Sequence, residues 1–144
     1  MKWVMYMGLT AALLVWGFYA LNNYIYIEKQ GESDLIRVTS PMSGATITSP
    51  VTITGEARGT WYFEASFPIA VVDWDGKIIG EGHAEAQADW MTSEFVPFKA
   101  IVTFDTSEIH NAYSKRGTLI LKKDNPSGLS EHDASVSFPF TIEY

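Results

Sequence analysis

The chain of 144 residues contains no cysteine. That excludes disulfide bridges, thiolate metal sites, cysteine nucleophiles and a lipid anchor on cysteine. Basic residues are scarce: 10 Lys and Arg stand against 17 Asp and Glu, a formal net charge of −7. An acidic surface repels phosphate backbones, so no nucleic-acid partner is expected. His83, His110 and His132 are scattered and lack the two-His helical spacing of a zinc protease. Ser43, Ser66 and Ser127 lack the glycine-flanked nucleophile turn. No phosphate-cradling glycine loop, internal repeat or low-complexity tract occurs. No cofactor, no metal and no catalytic residue are expected, and beyond residue 34 no long amphipathic helix is expected either.

What the chain does hold is aromatic side chains among acids. Between Gly59 and Phe98 stand Trp61, Tyr62, Phe63, Phe67, Trp74, Trp90, Phe95 and Phe98, interleaved with Glu64, Asp73, Asp75, Glu81, Glu85, Asp89 and Glu94. Lys77 is the one base there. Large rings dominate the energetics of a small core. This stretch is therefore expected to carry the core of a single domain.

Ahead of it, Trp3 to Leu21 runs without a charge, and apolar character resumes at Tyr24 to Ile27. A helix crosses the hydrocarbon layer with about 20 residues. Trp3, Tyr6, Tyr24 and Tyr26 lie near the ends, where amphipathic rings favour the interface. The competing reading is a cleaved leader, but its apolar run is about 7–15 residues and ends in small residues. Here bulky Phe18, Tyr19 and Leu21 crowd Ala20. Residues 1–27 are expected to be a single transmembrane anchor and residues 28–34 a polar linker. Basic residues flank both ends nearly equally, so charge alone leaves the orientation open.

From Leu35 the apolar period becomes two. Ile36 and Val38 alternate with Arg37 and Thr39; Ile47, Val51 and Ile53 alternate with threonines. Alternation rich in β-branched residues predicts half-buried strands. Pro50 predicts an edge, a bulge or a break between two strands. Phe67 to Asp73, Lys77 to Gly80, His83 to Asp89, Lys99 to Asp105, Gly117 to Lys123 and Ser135 to Tyr144 complete the pattern. Asp75-Gly76 predicts a tight hairpin turn, and Asp124 to Gly128 another turn. Pro139, off the buried parity, predicts an edge strand. Ser107 to Arg116 is expected to be a polar connection. About seven short strands over residues 35–144 predict an all-β, two-sheet antiparallel sandwich.

Several blocks resemble one known family. They are Ser49-Pro50, Gly55 to Pro68 (GEARGTWYFEASFP), Trp90-Met91-Thr92, Phe95 to Phe98, Gly117-Thr118-Leu119 and Lys123 to Gly128. Together, over Ile36 to Ile142, they resemble the immunoglobulin-like domain associated with bacterial spore germination proteins. The resemblance implies a β-sandwich in the bacterial cell envelope, on the extracytoplasmic side of the membrane. It supplies no catalytic residues.

Three chemistries are open to these residues. Trp61, Trp74 and Trp90 could stack on sugar faces beside Glu64 and Asp89, making a peptidoglycan-binding module. Burial between sheets is the plainer expectation for Trp61 and Trp90. Trp74, beside the turn, is the ring expected to be exposed. Asp124, Asn125 and Ser127 are expected to stop a strand, or to contact an envelope protein if the loop also binds. Asp73-x-Asp75-Gly76 has half the pattern of a calcium loop but lacks the remaining ligands. Glu64, Glu85 and Asp89 could serve a glycan hydrolase only if two carboxyls face each other at about 5–9.5 Å. The reading taken is a membrane-anchored, non-catalytic binding domain.

Overall fold

A computed structural model of the chain describes residues 34–107 and 113–143. The expected anchor over residues 1–27 and all but the last linker residue lie outside them, as does the middle of the polar connection before Arg116. Among the described residues no helix is long and apolar enough to cross a membrane.

The regular structure of the described chain is strand, apart from short 3-10 turns at Gly59–Trp61 and Ser130–His132. Eight strands follow in order: β1 (Ile36–Ser40), β2 (Thr46–Ile47), β3 (Val51–Arg58), β4 (Ser66–Asp73), β5 (Ile78–Ala86), β6 (Phe95–Val102), β7 (Arg116–Lys122) and β8 (Ser135–Ile142). Their buried residues alternate as the sequence predicts, for example Val96, Phe98, Ala100 and Val102 on β6. Strand β6 begins four residues before its expected start at Lys99, on the same parity. Pro50 falls in the break between β2 and β3, and the Ser49–Pro50 peptide is cis. Pro139 lies on β8 with its carbonyl accepting from Gly44 N–H at 2.7 Å, on the side away from β7. Its missing N–H faces that same side, so the ladder to β7 loses nothing; β8 is not the edge strand that Pro139 predicts, because the short β2 pairs beyond it at Thr141 and Ile142.

The strands join in the order β1-β3-β6-β5-β4-β7-β8-β2. Every pairing is antiparallel except β2 with β8. The two strands at the ends of this order, β1 and β2, are neighbours in sequence. A flat sheet of eight strands would hold its edges about 34 Å apart. The six steps from Ser40 to Thr46 reach about 22 Å at most. The sheet therefore curls back on itself, and the inward residues of nearly every strand form one core cluster.

Strand β5 is where the curl happens. The sequence reads as two pieces here, Lys77 to Gly80 and His83 to Asp89; the structure has one strand of nine residues. It pairs with β4 from Ile78 to Glu85 and with β6 at Glu85 and Ala86. Its inward positions Gly80, Gly82, Ala84 and Ala86 are small because β6 and its extension pass close beside them. A Cβ on Gly80 would stand 2.6 Å from the Phe104 Cβ and 2.7 Å from the Thr103 carbonyl oxygen. Glycine in a strand here marks a close approach, not a break.

Across the fold, Phe67 of β4 meets three rings edge-on. Its centroid lies 5.0 Å from Phe98 of β6, 5.2 Å from Tyr62 and 6.3 Å from Trp61. Such pairs add about 0.5–1.5 kcal/mol each beyond burial.

Gly80→Ala, harmless in an ordinary strand, should here destabilise the domain by about 1–3 kcal/mol, because backbone and not a side-chain tip must yield. Chemical denaturation of the two proteins measures it; equal midpoints would contradict the close approach.

Candidate functional site

The register places the loops at two opposite ends. At the entry end, where the described chain begins, lie Asp34-Leu35, the segment from Gly59 to Ala65, the Gln87–Glu94 loop and the Lys123–Ala134 loop. At the far end lie the β1–β2 link, the Trp74–Lys77 turn, the residues after β6 and the approach to β7. Strands of eight residues separate the ends by about 26 Å.

Seven of the eight residues singled out from the sequence fall at the entry end, and most are used by the fold. Trp61, in a 3-10 turn over Gly59–Trp61, is 2 % exposed. It presents no ring face to a ligand, and its indole N–H has no acceptor among the described residues. Trp90 is half-buried and packs on the core. Asp89 is exposed, but its carboxylate accepts Met91 N–H at 3.0 Å. Asn125 donates through Nδ2 to the Leu129 carbonyl at 2.8 Å and to Asp133 Oδ1 at 2.7 Å. Ser127 donates to Asn125 Oδ1 at 2.5 Å, and Asp124 N–H donates to the Trp61 carbonyl at 3.1 Å. The loop is thus tied within itself and to the tryptophan turn.

Glu64 is exposed and sits with Ala65 in a two-residue turn closed by reciprocal Phe63 and Ser66 backbone bonds, each 3.0 Å. Both residues have positive φ, 49° and 64°. This conformation normally falls to Gly or Asn, and it costs about 1 kcal/mol or more for other residues. Arg58 anchors the chain entry beside it, donating to the Asp34 and Ser93 carbonyls, both at 3.3 Å. Behind this end Tyr62 is buried, and its hydroxyl donates to the Val96 carbonyl at 2.7 Å. Burial pushes the phenol well above its usual range; a backbone hydrogen bond at Ala57 opposes the shift and the Glu56 charge adds to it.

Trp74 alone lies at the far end, so Trp61, Trp74 and Trp90 do not share a face. Asp73 at this turn accepts Asp75 N–H and Lys77 N–H, each at 2.9 Å, and Gly76 takes φ 84°. The hairpin turn is the one expected, and that carboxylate oxygen is spent on backbone. Among the described residues no cluster of His, Asp or Glu could hold a metal ion.

The ring of Trp74 is 47 % exposed and lies 5.8 Å from that of Tyr113, which is 92 % exposed, with their planes at 54°. The two rings wall an open groove of about 530 Å³ that continues past Ser114, Arg116 and Thr118 to Pro139 and Thr141. That volume falls in the range of small-ligand sites. Tyr113 and Arg116 had no signal in the sequence, since both sit in what reads as a polar connection. The outward positions of β7 and β8, Arg116 and Thr141, meet as a register pair.

A curled, almost wholly antiparallel sheet with loops gathered at its two ends defines an all-β domain of the immunoglobulin-like class. The family model described as the immunoglobulin-like domain of bacterial spore germination matches residues 35–130, and the chain belongs to that family. The match ends before β8, short of the span to Ile142 over which the blocks resemble it. Comparison with curated proteins and with solved structures finds no match.

Tyr62 gives this end a pH signature. The fold favours the neutral phenol, so its contribution is complete below about pH 10 and is lost as pH rises above that value. Absorbance titration should show one tyrosine ionising only as the domain unfolds, and Tyr62→Phe should remove that late step while costing about 1 kcal/mol. Replacing Ala65 by Gly should raise stability by about 1 kcal/mol in thermal unfolding, by relieving the positive φ.

Proposed function

We propose that this chain is a non-catalytic binding domain of the bacterial cell envelope. Its strands form an immunoglobulin-like β-sandwich over residues 35–144. Residues 1–27 anchor it as a single membrane-spanning helix, with the domain on the extracytoplasmic side and residues 28–34 as a polar linker. The linker reaches about 25 Å at most, which keeps the entry end against the bilayer. The groove then opens on the end turned away from the membrane, toward an envelope protein or the peptidoglycan.

The observation that carries this reading is the pairing of two exposed rings over a groove; the other exposed ring among the described residues, Phe63 at the entry end, lines no groove with a second ring. Aromatic rings at a concave site supply most of the contact energy in small interfaces. A non-catalytic role is supported by where the acids stand. Glu64 occupies a turn tip, Glu85 pairs across strands with Lys99, and one Asp89 carboxylate oxygen caps a backbone N–H.

A photo-crosslinking residue placed at position 74 in intact cells should capture an envelope component, and the same residue at position 127 should not capture it. Equal capture from both positions, or domain that washes from membranes in alkaline buffer, would sink the proposal.

A further inference from the structure

The groove carries a charge that no other described residue pairs. Arg116 is exposed, lines the groove, and forms no ion pair with any described residue. Its backbone is engaged, with N–H donating to Ser114 Oγ at 3.2 Å and the residue paired with Thr141 of β8. This is notable in a chain with 17 acids and 10 bases, where Arg37 and Arg58 both have carboxylate partners. The nearest acid of the groove, Asp73, is turned to the backbone of its own hairpin. The site therefore offers two aromatic faces, a free guanidinium and the hydroxyl-bearing residues Ser114, Thr118 and Thr141.

Each of those parts selects the same ligand chemistry. A pyranose ring has an apolar face of C–H bonds that stacks on an aromatic ring, with hydroxyls around its edge that need polar partners. The free guanidinium selects a carboxylate, with which it makes charge-assisted and often bidentate hydrogen bonds. A neutral sugar leaves Arg116 unused. The 54° between Trp74 and Tyr113 makes a corner, not a flat platform, so one ring stacks while the other flanks.

Resting on the envelope-binding reading above, we infer that the groove binds an acidic saccharide, its ring on Trp74 and its carboxylate on Arg116. Two sources share this chemistry: a muramyl sugar with its lactyl ether, and a uronic acid within a polymer.

The test uses the full chain in detergent micelles, following the indole N–H resonance of Trp74. Two pairs of probes are titrated. One is the disaccharide of N-acetylglucosamine and N-acetylmuramic acid against N,N′-diacetylchitobiose; the other is a glucuronate-containing disaccharide against its neutral counterpart. The acidic member of at least one pair should shift the resonance saturably and bind about tenfold or more tightly than the neutral member. The responding pair tells the source. Arg116→Gln should bring the two members to equal affinity with an unchanged unfolding midpoint, and Arg116→Lys should keep part of the preference. Equal binding of acidic and neutral members by the unaltered chain, or no saturable shift with any probe, overturns the inference. If the groove is silent to all four saccharides while position 74 still captures an envelope protein, this ligand is wrong and the binding-domain reading survives. If position 74 captures nothing either, both fail.

Discussion

The edge-on cluster around Phe67 is the constraint from which the remaining structure follows. Phe67 belongs to β4 and Phe98 to β6, and β5 lies between those strands in the hydrogen-bonded order. Two rings that meet at 5.0 Å across an intervening strand need that strand to be thin on its inner face. The glycines and alanines of β5 satisfy the requirement. The same cluster recruits Trp61 and Tyr62 from the connection between β3 and β4, so that segment is not a free loop. Its 3-10 turn and the positive φ of Glu64 and Ala65 are the local consequence: the chain must bury two large rings and then reverse within four residues. Ring burial outweighs a backbone strain of about 1–3 kcal/mol for such residues. It also outweighs the buried indole N–H, which costs about as much.

The two ends of the domain differ in how their polar groups are used. At the entry end Asn125, Ser127, Asp89 and Arg58 all bond to protein groups nearby. Hydrogen-bonding groups so occupied hold loops in place and have less left for a ligand. The Arg37 and Arg58 guanidinium groups also lie over Phe95, at 4.2 Å and 4.0 Å from the ring centroid. That arrangement stiffens the point where the chain enters. At the far end the polar groups of the Trp74 turn serve the turn itself, while Arg116 remains unpaired among the described residues. A bonded end beside the entry and an open groove at the other suit the tethered binding domain proposed above.

Much of this architecture was legible in one dimension, because a strand buried on one face writes its period directly into the chain. The inward parity of β3, β6, β7 and β8 could be read along the chain, and Pro50 stood where strands break; Pro139 misled, because β8 has β2 beyond it and is not an edge. Strand β5 could not be read whole. Glycine interrupts a hydrophobic pattern in the same way whether it marks a turn or a close approach, and only the position of Phe104 distinguishes them. The candidate site was harder for a related reason. The exposure of Trp74 follows from its place beside the Asp75-Gly76 turn, and Trp61 is sealed and Trp90 half-buried; what sequence does not show is that Trp74 stands at the opposite end from the other two. Tyr113 joins Trp74 only because β4 ends beside the start of β7, and residues nearly forty positions apart carry no local trace of that pairing.

The topology gives this arrangement a further reason. The chain enters at Asp34, β1 lies along β3, and the sheet order makes β4, β7 and β8 the strands that meet at the far end. Asp73 pairs with Gly117, and Gly117 with Phe140, so three strand ends converge under the groove. A site built on converging strand ends is held by backbone hydrogen bonds, and its side chains move little relative to one another. The exposed rings themselves come from the turn and the approach to β7, where substitution does not disturb the core. Stability therefore resides at the Phe67 cluster, and the recognition proposed above would fall at the Trp74 corner, with about a strand length between them. Each can change without the other, which is the physical basis on which one such fold can present different ligands at the same end.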